Sequence, residues 1–298
     1  MSGGGQPARR VAVTGLGALS PGGGGVAAYR GWLAAGHGAA GGTIVGFEPG
    51  RYIRSAKLLR SMHRTFQLVA AAAVEAMRAA GLPTAESLVA AGIAPERAGI
   101  AAALADLSPL TPDLLQALAQ AAPEGEAGTP GWARFAELAL HQLHPFRRLT
   151  LLANMAAAHT SLLYGLQGPS FTFTTGAAAG TQTIAEAYWT IAHGRAELML
   201  CQAAESPDQA CTAEPVVEIA GAVVLESWES AAQRKAPILT ELRAEAVAGA
   251  RPQFSLAEPG AGSPAASLLA ALLRLEELAA AGGGVALGEL LGASGAAA

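Results

Sequence analysis

The spacing of apolar and polar positions changes along this chain at definite points. Arg10 to Gly17, RVAVTGLG, is a continuous apolar run of the kind a strand buried on both faces shows, and it is expected to lead into a glycine turn. After Ala18-Leu19-Ser20-Pro21-Gly22 a loop opens, and a helix is expected through Tyr29 and Trp32. From Ser55 to Gly81 the period is helical: Leu58, Met62, Phe66, Val69, Ala73 and Met77 share a stripe and Gly81 supplies the stop. Arg97 to Ala103 returns to a strand, Ser108 to Ala122 suggests one or two short helices, and Pro123 to Trp132 reads as a surface loop. Leu151 to His159 is a small-residue helix. Phe171, Phe173 and Thr175 then alternate with Thr172 and Thr174 after Gly168-Pro169 and Ser170, which is the period of a strand. Gly176 to Gly180 allow a tight bend, and Ile184, Tyr188 and Ile191 recur at helical spacing until Gly194. Ala196 to Ala204 is an apolar strand. Ile219 to Glu226 and Ile238 to Ala248 read as a hairpin-like pair around a helix at Ser230 to Lys235.

Composition narrows what such a chain can do. Its 298 residues are enough for one large domain or two intimate ones, half of them hydrophobic and 14% charged. A formal net charge of −4 leaves no footprint for nucleic acid. Cys201 and Cys211 are the two cysteines, one in an apolar strand and one in a loop, so no disulfide framework or zinc cluster is expected. No leader-like apolar segment follows MSGGGQPARR and no run reads as a membrane span, so the expectation is a cytoplasmic protein without membrane contact. Gly15 and Gly17 lack the third glycine and the acidic residue of a dinucleotide site. No cofactor or metal is expected.

The candidate chemistry lies at residues 169–194. A strand passing through a sharp turn into a helix presents a nucleophile where the helix dipole and free N–H groups favour a thiolate or oxyanion. Here the turn holds alanine. His63, beside Arg60 and Arg64, reads as a solvated or partner-facing side chain, and His159 as a packing residue; Cys201 has no His or Lys placed to lower its pKa.

The turn Thr175-Gly176-Ala177-Ala178-Ala179-Gly180 resembles the nucleophile motif T-A-C-A/S-S/A-G of the β-ketoacyl-acyl carrier protein synthases. VAVTGLGALSPGG is similar to their opening strand, Leu151 to His159 to their L-L-x-N-M-x-A-A-x helix, Ala196 to Pro207 to their D-V-x-L-x-G-G-x-E-x-P segment, and Ile219 to Ala248 to the strand pair that follows. The resemblance implies an α/β, thiolase-like layered fold of the α/β/α/β/α type, with the N-terminal half largely complete and the C-terminal half strongly reduced. It implies a tail at 1–9, a synthase N-terminal-like domain at 10–248 and a remnant of the second half at 249–298. It places Ala177 where the family carries its acyl-accepting cysteine, makes Ser170 to Gly176, Ala178 and Gly180 the elbow and dimer strand, and sets Asn154, Met155 and His159 beneath it. The family's second half supplies two histidines and a lysine. The 50 residues after Ala248 contain neither, though SPAASLLAALLRLEELAAAGGG is similar to the helix that follows the last of those histidines.

Without thiol, histidines and lysine, condensation has no groups to perform it. The resemblance then implies a chain-length-factor-type subunit that forms a heterodimer with an active ketosynthase and, through it, meets an acyl carrier protein. Two alternatives stay open: an acyl-binding scaffold homodimer, and a residual acyltransferase or thioesterase using Ser206, Thr175 or His159, which needs a nucleophile and base about 3 Å apart.

Overall fold

The computed structural model describes residues 9–36, 42–104, 112–121, 131–143, 152–207, 216–243, 263–280 and 285–286. In chain order the elements are β1 (Val11–Ser20), β2 (Gly23–Gly24), α1 (Val26–Ala34), α2 (Ala56–Leu59), α3 (Arg64–Ala79), α4 (Ala85–Ala90), β3 (Ala98–Leu104), α5 (Pro112–Ala121), α6 (Trp132–Gln142) and α7 (Asn154–Tyr164). They continue with β4 (Ser170–Phe173), α8 (Ala179–Ala192), β5 (Leu198–Glu205), β6 (Ile219–Ser227), α9 (Trp228–Gln233), β7 (Thr240–Arg243), α10 (Pro264–Ala280) and β8 (Val285–Ala286). The strands form one mixed sheet in the order β4-β3-β5-β6-β1-β7-β8, with β2 paired to the end of β1. β3 runs parallel to both β4 and β5, and β6 lies antiparallel between β5 and β1.

Each face of the sheet is covered by helices chosen by the pattern of small residues. On one side α3 and α7 bury Phe66, Leu68, Val69, Met77, Ala156 and Tyr164 against Ile100, Leu198, Leu200 and Val224. On the other, α8 and α10 bury Ile184, Ile191, Leu268 and Leu272 against Val11, Val13, Met199, Val223 and Leu225. A fully buried side chain of this size contributes about 2 kcal/mol by leaving water. The close approach of α3 depends on two glycines of β1. A Cβ placed on Gly15 would lie 2.2 Å from the Ala76 carbonyl oxygen, and one on Gly17 2.2 Å from that of Ala72. The alanine run Ala70 to Ala73, wholly buried, is the complementary surface on the helix.

Four expectations are corrected. The first strand does not end in a glycine turn; it runs on through Gly15 and Gly17 to Ser20, with an irregularity of register between Val13 and Gly15. The single helix expected from Ser55 to Gly81 is two. The Ser55 hydroxyl caps α2 by accepting from the Leu58 N–H, the Ser61 hydroxyl donates to the Leu58 carbonyl at 2.7 Å, and His63 is extended at the head of α3. Serine here satisfies the carbonyl that a continued helix would have used. β6 and β7 are not a hairpin pair, because β1 lies between them and bonds to both. The strand at the elbow stops at Phe173, leaving Thr174 and Thr175 in the turn.

The strand expected at residues 196–204 is β5, α5 falls within the helical stretch expected at 108–122, α6 begins at Trp132 where a loop was expected to end, and the small-residue helix is α7. Cys211, residues 1–8 of the expected tail, Leu151 and residues 123–130 of the expected loop lie outside the described residues, as does much of 249–298. No helix among the described residues is long and apolar enough to cross a membrane.

Candidate functional site

The elbow is built as its sequence predicts in kind. β4 lies on the edge of the sheet, parallel to β3, and its chain turns through a short 3₁₀ segment, Gly176–Ala178, into α8. Gly176 has φ +73°, a left-handed conformation that side chains rarely adopt and that glycine takes freely. Ala177 follows, half-buried, in the 3₁₀ segment that leads into α8. Thr175 donates its hydroxyl to the Gln182 side chain at 2.6 Å, Thr181 to the Ala178 carbonyl at 3.0 Å, and Thr183 to the Gly180 carbonyl at 2.6 Å. These bonds hold the first turns of α8 and leave the Thr175 hydroxyl engaged.

The N-terminus of α10 closes on this turn. A Cβ at Gly180 would stand 2.1 Å from the Pro264 carbonyl oxygen, so glycine is what permits the contact. The Ser263 hydroxyl accepts from the Ala266 N–H at 3.0 Å and also bonds the carboxyl of Glu205 at the end of β5. Burial pushes Glu205 up, against the opposing effect of that bond. The motif E-S-P is visible in the sequence, but its partner 58 positions on was not.

The other candidate nucleophiles and bases among the described residues lie elsewhere. Cys201 is fully buried in β5, donates to the Thr183 carbonyl at 3.3 Å, and burial pushes its thiol far up, so it is no thiolate. Ser206 donates to Glu218 at 3.2 Å, and Glu218 is held by Arg64. His193 lies at the opposite end of α8, its Nδ1 donating to the Trp189 carbonyl at 2.8 Å. Asn154 begins α7 and Met155 is half-buried near its start; the helix packs on the α3 side of the sheet, touching β3 and β4. His159 is buried on α7 with its Nε2 3.2 Å from the Ser61 hydroxyl oxygen. Burial lowers its pKa. His63 is not a solvated side chain: at the head of α3 its ring lies against Phe66, centroids 3.7 Å apart and planes tilted by 38°.

Sequence reading missed a second concavity. α2, the ends of α3 and α7 and the start of α4 enclose a cleft of about 1380 Å³ whose lining includes Arg54, Lys57, Arg60, Ser61, Thr84 and Tyr164. Arg54, Lys57 and Arg60 are exposed and make no ion pair among the described residues. The S-A-K-L-L-R spacing carries this signal, since Lys57 and Arg60 are three positions apart on one helical turn. Burial pushes the Tyr164 phenol at the cleft wall up to about 12.

A mixed sheet with helices on both faces, a glycine-bounded strand–turn–helix at its edge and an alanine-rich helix on the opposite side define a thiolase-like fold. Residues 37–214 match the family described as beta-ketoacyl synthase, N-terminal domain, and the chain belongs to that family. It is 32% identical over 217 residues to a putative polyketide beta-ketoacyl synthase 1 of Streptomyces halstedii, covering 67% of this chain and 47% of that one. It is 32% identical over 136 residues to a mitochondrial 3-oxoacyl-[acyl-carrier-protein] synthase of Arabidopsis thaliana, covering 36% and 30%. The chain thus spans from about a third to about a half of the curated relatives it matches. Among solved structures it is similar to a type II polyketide synthase acyl-carrier protein in complex with its ketosynthase bound to the hexaketide, with TM-score 0.62, 26% identity, and 79% of this chain and 67% of that one covered. It is also similar to the ishigamide ketosynthase/chain length factor, with TM-score 0.59, 25% identity and coverage of 78% and 62%.

Proposed function

We propose that this chain is a ketosynthase-like subunit of the chain-length-factor type, not itself condensing, which pairs with an active ketosynthase in fatty acid, polyene or type II polyketide assembly and shapes the acyl tunnel. Through that partner it meets an acyl carrier protein. Residues 10–248 serve as the synthase N-terminal-like domain and 249–298 stand in for part of a second half, with Ser170 to Phe173 as the pairing strand. The observation that carries this reading is the methyl group of Ala177 at the head of α8, with no thiol or imidazole from the described residues beside it. A methyl group cannot accept an acyl chain. The relatives named as a ketosynthase with its carrier protein and as a ketosynthase/chain length factor support the choice of partner.

The pairing strand is supported by the backbone. Ile100 N–H donates to the Pro169 carbonyl, and in a parallel ladder this directs Pro169 and Phe171 toward β3 and Ser170 and Thr172 away from it. The outward N–H and C=O groups of Ser170 and Thr172 lie on the edge of the sheet. The same edge is self-complementary across a twofold axis, which is the basis of the homodimer reading.

Native mass spectrometry of the chain alone and mixed with a ketosynthase that carries its cysteine tests the proposal. A one-to-one complex is expected. A chain that stays monomeric with every ketosynthase offered contradicts it, and a homodimer that excludes the synthase selects the scaffold reading instead.

A further inference from the structure

Among the described residues, the Ser61 hydroxyl and the His159 imidazole meet at the reach of nucleophilic chemistry. Ser61, in the break between α2 and α3, and His159, on α7, are 98 positions apart in sequence, and Oγ and Nε2 stand 3.2 Å apart. That is hydrogen-bond reach for a nucleophile and its base. Ser61 lines the cleft of about 1380 Å³, while His159 sits behind it, 2% exposed, with the Phe66 ring centroid 5.6 Å away.

The protonation pattern follows from the bonds. The Ser61 hydroxyl donates to the Leu58 carbonyl at 2.7 Å, so in this resting arrangement Oγ accepts from the His159 Nε2–H. Nδ1 of His159 is buried and has no hydrogen-bond partner among the described residues. No carboxylate or carbonyl therefore locks the tautomer. With the proton on Nδ1 and the hydroxyl turned from Leu58 to Nε2, the pair becomes nucleophile and general base. Burial lowers the His159 pKa, which keeps the ring neutral, and so free to accept a proton, near pH 7.

We propose that Ser61 and His159 form a dyad that cleaves esters or thioesters whose leaving group carries a phosphate. The phosphate follows from Arg54, Lys57 and Arg60 at the same cleft, cations without an ion-pair partner among the described residues. In the first step the Ser61 oxygen bonds to the carbonyl carbon, its proton passes to His159 Nε2, and the C–S or C–O bond breaks as that proton goes to the leaving group. In the second, His159 takes a proton from water, the hydroxide attacks the Ser61 ester, and the proton returns to Ser61 as the acid is released. The proposal is independent of the pairing role, since the dyad lies on the α3 side of the sheet and β4 is its edge.

The experiment is active-site labelling with a fluorophosphonate, in which a P–O bond forms and fluoride leaves, read by peptide mass spectrometry on the full chain. Labelling of Ser61 is expected. It should be absent in Ser61→Ala and slower by about 100-fold in His159→Gln, the contribution of a general base. The rate should hold as pH falls through about 6.5, the ordinary histidine value, and decline only below it. Thiol release from acetyl-coenzyme A should exceed release from acetyl-N-acetylcysteamine, which has no phosphate, and Arg60→Ala with Lys57→Ala should remove the difference. Faster release from a carrier-protein thioester than from acetyl-coenzyme A would identify carrier-bound rather than free substrate as the source. If His159→Gln does not fold, Ser61→Cys replaces it: its thiol should react with iodoacetamide with the same pH dependence. No label on Ser61, a label unaffected by folded His159→Gln, or Ser61→Cys reacting as an ordinary thiol overturns the proposal.

Discussion

At Ala177 the elbow carries a methyl group, which offers no nucleophile to the turn. Its backbone still leads from the left-handed Gly176 into the N-terminus of α8, where partial positive charge favours an anion. Ala177→Cys is therefore expected to give a thiol whose pKa lies below the ordinary 8.5 or so, measured as the pH dependence of iodoacetamide alkylation. No condensation should accompany it, because the histidines among the described residues stand elsewhere. Gly180→Ala is expected to cost about 3 kcal/mol or to displace α10, since its methyl group would meet the Pro264 carbonyl; denaturant unfolding measures this. The alanine at the turn was legible in the sequence because strand, glycines and helix frame it. The meeting of Ser61 with His159 was not, because no period connects residues on separate helices.

Among elements, the edge strand β4 and the charged ties between strands make separable predictions. Thr172→Pro removes an outward N–H and no bond to β3, so it should dissolve a dimer built on this edge while the chain remains folded. Phe171→Pro removes an inward bond and should destabilise the chain itself. Sedimentation together with thermal unfolding distinguishes the two. Glu197 bonds Arg9, Arg97 and Ser227, joining the flanks of β1, β3 and β6. Burial alone would raise its carboxyl, but hydrogen bonds from Ser227, Arg9 and Arg97 outweigh burial and hold it at about 2. A depressed carboxyl stabilises the fold above its unfolded value, near 4.5, and that stability is lost as pH falls from there through about 2. Glu197→Gln should flatten this part of the acid-unfolding curve. Element types were largely legible from periodicity. The break at Ser61 was hidden because Leu58 and Met62 keep a helical spacing across it, and the separation of β6 from β7 was hidden because a strand from the other end of the chain lies between them.

For the whole molecule, membership of the beta-ketoacyl synthase family fixes the scaffold and leaves its use to the side chains that remain. The sheet order, the helical faces and the elbow together place Ala177 between the left-handed Gly176 and the N-terminus of α8. Hydrophobic pattern accounts for that placement, since sheet and helices bury matched small and large residues on both faces. What distinguishes a pairing subunit from a condensing enzyme is then a matter of reactive groups. The most direct measurement incubates the isolated chain with acyl and malonyl thioesters of a carrier protein and follows carbon–carbon bond formation by mass spectrometry. The expected result is no condensation product and no acyl adduct at the elbow peptide, 170–182, with product appearing only when a ketosynthase bearing its cysteine is added. A 3-oxoacyl product formed by the chain alone would contradict the assignment.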